Sequence, residues 1–154
     1  MSRPPRKRGG AARRRGINRE HDCLLVARDR IGMTLDFHTG RGPVTAAQLR
    51  TCLQPVLPGD GLLISDGAAA YVRFALDAGI MHESVNVRAG RHARGAIHIQ
   101  NVNGWHSRFK NWLVRFKGVA SRYLANYSGW HRLLDAQALR TPAQWLCAAV
   151  RQVQ

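Results

Sequence analysis

The chain has 154 residues, 24 of them Lys or Arg against 9 Asp or Glu, giving a formal charge of +15. That length suits one domain with a sizeable core, and so large a charge on it points to a polyanionic partner, a nucleic acid. No apolar run approaches the roughly 20 residues that span a bilayer, and the basic start has no apolar segment behind it as a secretory signal would, so a cytoplasmic location without membrane contact is expected.

In chain order, residues 1–20 are basic and contain Gly and Pro, which predicts a mobile segment. Arg3, Arg6, Lys7, Arg8, Arg13, Arg14, Arg15 and Arg19 fall there with no acid before Glu20. Apolar runs predict strands at 22–28 and 32–38, joined by a short turn that points Asp29 to solvent. After a loop at 39–43, residues 44–53 read as a helix, closed by Pro55 and Pro58. Residues 62–65 (LLIS) form a short buried strand. Then come Asp66 and Gly67, a helix at 68–78 ending at Gly79, and a strand at 82–87. The segment 90–95 (GRHARG) reads as a flexible basic connection, followed by helices at 98–116, 119–134 and 142–151.

The most informative of these is the helix beginning at 98. Val102, Trp105, Phe109, Trp112, Leu113 and Phe116 recur at three- and four-residue steps, an amphipathic stripe expected to be buried; the alternative is an exposed aromatic stripe used for base stacking. Asn103 and Lys110 are seven residues apart, nearly two turns, so they share a polar face roughly opposite that stripe. His106 and Ser107 flank the same face. Asp66 ends an apolar strand. Its ordinary reading is a turn or helix-start residue. The functional reading is a carboxylate facing a polar helix, as a two-metal phosphodiester site requires.

The charge is also placed. From 84 to 134 the chain carries Arg88, Arg91, Arg94, Arg108, Lys110, Arg115, Lys117, Arg122 and Arg132, with no carboxylate. Such patches neutralise phosphates and release counterions, giving salt-dependent and largely sequence-independent binding. Cys23, Cys52 and Cys147 are far apart without a CxxC pair, which argues against structural zinc and disulfides and for buried free thiols. The histidines are scattered.

The run 95–134 resembles the C-terminal part of the ISXO2-like (IS1595-type) insertion-sequence transposases. The matching positions are His98, Gln100, Val102, Asn103, Gly104, His106, Ser107, Phe109 and Lys110, then Tyr123, Leu124, Tyr127, Trp130 and Arg132. Upstream, LPGDGLLISDGAAAY and HESVNVRAG resemble the family's strand with its second aspartate and the segment after it. The likeness runs from about residue 6 to 134. It implies a ribonuclease-H-like α/β fold at 21–135 with extra C-terminal helices, the last within 136–154. It also implies cutting and joining of DNA at insertion-sequence ends with Mg²⁺ or Mn²⁺, and is compatible with a homo-oligomer. By the same resemblance Asp66 and Asn103 would ligate metal and Lys110 would hold a phosphate or the transferred strand. His98 and His106 would line the cleft, and Arg13, Arg14, Arg15, Arg94 and Arg108 would contact DNA.

Asn103 with Lys110 matches an Asp-Asp-Asn-Lys branch rather than the commoner Asp-Asp-Glu set. The family's first aspartate sits on a strand ahead of a basic loop, and residues 2–16 resemble that loop. The expectation is therefore a chain lacking the first strand and its aspartate and not catalytic alone; Asp22 and Asp36, on or beside strands, match no catalytic position of the family and are the less favoured substitutes for that aspartate. The missing strand is normally central, so its loss should leave a gap or force 22–28 against 62–65. Two other readings stand beside this one: a non-catalytic DNA-binding protein derived from a transposase, and a small basic RNA- or ribosome-associated protein.

Overall fold

The computed structural model describes residues 18–85, 93–94, 97–136 and 141–144. Two antiparallel strands open it, β1 (Asp22–Arg28) and β2 (Thr34–Arg41), with Leu25 opposite Phe37 and Arg28 opposite Thr34. β2 starts later than the apolar pattern suggests because the turn continues to Met33. Asp29 accepts a hydrogen bond from the Met33 amide at 2.7 Å and returns its own N–H to the Met33 carbonyl. Asp29 is exposed, as expected of a turn residue.

The two-residue period of a strand sends alternate side chains to opposite faces. Here it sorts the hairpin cleanly. Leu25, Ala27 and Phe37 join a core with Leu49 and Leu53 of α1 (Ala46–Leu53) and Phe74 of α2 (Ala69–Ala78). On the other face Arg28, which also donates to Thr34, and Asp36 reach α4 (Leu124–Asp135) through Asp135, Ser128 and Arg132. The hairpin thus lies between two helical layers.

Local signals fix the helix ends. α1 opens with a capping box in which Thr45 and Gln48 bond each other's backbone, a pairing that satisfies two otherwise orphaned donors. α2 stops at Gly79, in the left-handed conformation that glycine favours at helix ends. It links β3 (Leu62–Ser65) to β4 (Met81–Ser84), which pair in parallel; a parallel pair needs such a crossover. Residues beyond 85 in the expected strand at 82–87 lie outside the described residues.

β1–β2 and β3–β4 are separate two-stranded sheets, so among the described residues β1 is not paired with β3. Leu63 of β3 packs against the same core as Leu25. A third small ladder pairs β5 (Ala93–Arg94) with β6 (Ile97–His98), where the sequence suggested an unstructured connection. His98 therefore ends a strand, and α3 (Gln100–Val114) starts two residues after it. A 3₁₀ turn at Ser121–Tyr123 leads into α4. Residues 142–144 are helical behind a reciprocal Thr141–Gln144 cap; the rest of the expected helix at 142–151 lies outside the described residues. The result is a mixed α/β domain with small sheets and several helices, consistent with the expected class.

The second core is aromatic. Trp105 is fully buried and Phe109 nearly so. Trp112 and Phe116 are half-buried rather than fully buried, and pack on Tyr127 and Trp130 of α4. His131 lies at the centre of this stack, 5.0 Å from Trp105 and 5.5 Å from Trp112. Cys23 and Cys52 are free and half-buried; Cys147 lies outside the described residues.

Candidate functional site

Asp66 leaves the end of β3 and is exposed. Its turn is built from beneath. The buried Ser65 hydroxyl lies 2.8 Å from His82 Nε2 and accepts the Gly67 N–H at 3.1 Å. Asp66 Oδ1 accepts the Ala68 N–H at 3.2 Å, one turn ahead of α2. Gly67 has φ +77°, and a Cβ there would come within 3.0 Å of Ser84 Cβ. Only glycine meets both demands without strain. The Asp66 carboxylate also acts on Tyr71. Burial first, then Asp66 and Cys23, push that phenol up to about 12.

Asn103 and Lys110 are exposed on α3, as their spacing predicts. Between them His106 is half-buried. Its pKa is lowered from 6.5, by burial first and then by Lys110, so the ring stays neutral near pH 7 and can accept or donate a hydrogen bond. His98 is half-buried with Nδ1 unpartnered. No hydrogen bond or ion pair joins Asp66 to Asn103 or Lys110, and no group of three His, Cys, Asp or Glu able to hold a metal occurs among the described residues. Arg13, Arg14 and Arg15 lie outside the described residues, and Arg94 is described only as part of β5.

The two carboxylates considered as substitutes have other partners. Asp22 accepts a hydrogen bond from Ser121 Oγ, and its other oxygen lies 3.4 Å from His38 Nε2. Asp36, with a side chain only 6 % exposed, accepts from Ser128 Oγ and pairs with Arg132 at 3.2 Å. Both face the α4 layer as anchors. Arg108 likewise does more than offer charge to solvent: its Nε binds Asp135 at 2.8 Å, and Arg28 binds the other Asp135 oxygen at 2.6 Å. Burial works to raise the Asp135 pKa, but the two arginine hydrogen bonds outweigh it and hold the group below its usual 3.8. Sequence spacing gave no sign of these links, whose members are 92 to 107 residues apart for the Asp36 and Arg28 contacts.

Among the described residues no helix is long and apolar enough to cross a membrane. No curated protein and no solved structure matches the chain. The family model of the ISXO2-like transposase domain matches residues 2–129. That span takes in β1 through the first half of α4, including the turn that holds Asp66 and the face that carries Asn103 and Lys110, and the chain belongs to the ISXO2-like transposase domain family.

Proposed function

We propose that this chain binds DNA at insertion-sequence ends and carries one part of a transposase active site, Asp66, Asn103 and Lys110, without completing that site by itself. The observation that carries this reading is the contrast among its carboxylates. Asp66 is exposed on a turn that only glycine can complete, while Asp22 and Asp36 are tied to serines, a histidine and an arginine.

One carboxylate and one neutral amide do not fit a pair of divalent cations, whose affinity depends on ligand charge. They would suit at most one Mg²⁺ that keeps most of its waters and leans on substrate phosphates. The roles open to the chain's own groups are therefore positional. Lys110 would hold a phosphate as a point charge, His106 in its neutral form would bond a sugar or phosphate oxygen, and the basic surface would bind the duplex through counterion release. A non-catalytic DNA-binding role is the second reading. It is favoured by the run 84–134, which carries nine Lys or Arg and no carboxylate.

A nicking and strand-transfer assay on inverted-repeat DNA with Mg²⁺ or Mn²⁺ tests the proposal, run beside Asp66→Ala. The chain alone should bind duplex with affinity that falls steeply with salt, and should not cut. Cleavage that disappears in Asp66→Ala would mean that another carboxylate completes the site. Undetectable duplex binding at low salt would refute the DNA-binding reading altogether.

A further inference from the structure

Outside the Asp66 region, the β1–β2 turn and the first turns of α3 form an open pocket of about 330 Å³. Arg28, Arg30, Gly32, Gln100, Asn101 and Arg108 line it. Three arginines and two side-chain amides line it, and none of its lining residues among the described ones is acidic. Asp135, only 10 % exposed, holds Arg28 and Arg108 through their hydrogen bonds. It fixes two planar donors in place. α3 adds the open end of its backbone dipole: its first turn has no acid, and its cap residue Ile99 supplies no side-chain bond.

We infer that this pocket is an oxyanion site that seats one backbone phosphate of DNA. Arginine forks match phosphate oxygens bidentately, and amide N–H groups add neutral donors. At 100° per residue Asn101, Gly104 and Arg108 form one stripe of α3, and Asn103 and Lys110 lie nearly opposite. The phosphate held here is thus distinct from any held by Lys110. The DNA part of this inference rests on the proposed function; the oxyanion part does not.

Two variants and a control separate the claims. Arg30→Gln removes a donor from an exposed turn. Asn101→Asp places a carboxylate in the pocket, yet an acid in the first turn of a helix favours folding, so lost binding cannot be blamed on unfolding. Arg73→Gln removes the same charge from α2, where Arg73 pairs with Asp77 and is 72 % exposed. At constant ionic strength, inorganic phosphate should raise the melting temperature of the parent chain more than chloride does, and Asn101→Asp should abolish the difference. In duplex titrations, Arg30→Gln and Asn101→Asp should weaken binding several-fold more than Arg73→Gln. Arg30→Gln should also flatten the slope of log K against log salt by about 0.9, the share of one phosphate contact. Phosphate no better than chloride, or pocket variants indistinguishable from Arg73→Gln, would overturn the inference. Phosphate protection without duplex binding would uphold the oxyanion site and overturn the proposed function.

Discussion

The two faces of the β1–β2 hairpin meet cores of different chemistry. On one side Leu25, Leu49, Leu53 and Phe74 form a mainly aliphatic core that needs only shape and area. On the other, α3 and α4 present rings to one another, and the polar links from the hairpin to α4 and the turn before it run through carboxylates. The aliphatic side carries Asp66 and the aromatic side carries Asn103 and Lys110. Apolar area is non-directional, so it can hold α1 and α2 in place without specifying an angle. Hydrogen-bonded ion pairs are directional. The helices that must present a polar face in a set orientation are the ones docked by Asp22, Asp36 and Asp135.

The comparison is broken most forcefully at Trp105. Its side chain is fully buried between Phe109 and His131, while Trp130 on the same aromatic stack is 44 % exposed. Trp105→Ala should cost about 3–5 kcal/mol and lower the melting temperature by many degrees. Trp130→Ala should cost clearly less. Equal melting temperatures for Trp105→Ala and the parent, with weakened DNA binding, would make the stripe a stacking surface and not a core.

Asp135 offers the next largest effect. Asp135→Asn keeps the shape but leaves the Arg28 and Arg108 charges facing one another. Breaking a buried pair costs about 3–5 kcal/mol, and because Arg108 is half-exposed the loss here should be smaller, about 2–3 kcal/mol. The pH dependence has a definite sign. The folded pKa lies below the unfolded value, so the stabilisation is present above 3.8 and drains away as pH falls through the folded value. Denaturant melts between pH 5 and acid should show that decline in the parent and lose its Asp135 share in the variant. An unchanged acid limb would remove Asp135 from its role as the anchor.

The same division explains what the sequence could reveal. The β1, β3, α1 and α2 spans follow from apolar period, Thr45 and Gly79, and lie within two residues of the expected bounds. The exposure of Asn103 and Lys110 and the burial of Trp105 and Phe109 follow from helical spacing. Burial fades at Trp112 and Phe116 because α4 covers the end of α3 less completely, which depends on where α4 docks and not on α3's own pattern. The β5–β6 ladder was missed because two-residue strands have no period to read. The anchoring of Asp22, Asp36 and Asp135 was hidden for a different reason: their partners are fixed only once the helices pack. So a free carboxylate and an anchored one look alike in the sequence.

The finest test of the comparison is His131, an imidazole placed where the aliphatic core would have a hydrocarbon. It is buried, with Trp105, Phe109 and Trp112 at 5.0–5.5 Å, and its Nδ1 has no hydrogen-bond partner. Burial lowers its pKa from 6.5; Asp135 then pulls it up, Arg108 pushes it down and Asp36 pulls it up, with the net shift downward. A histidine lowered in the folded state binds its proton first in the unfolded chain. Stability is therefore full above 6.5, falls as pH drops below it, and levels off once the folded ring also protonates. His106, lowered by burial and Lys110, adds to the same decline. His131→Phe keeps the ring contacts and removes both the orphaned nitrogen and the titration. It should gain about 1 kcal/mol at pH 8, and a larger margin at pH 5.5, where the parent has begun to weaken. The slope that remains in the variant should be the His106 share, removed in turn by His106→Gln. Should His131→Phe lose stability at every pH and keep the full parental slope, the imidazole would be making a bond that its surroundings do not reveal, and the aromatic core would owe its fit to that bond and not to ring packing.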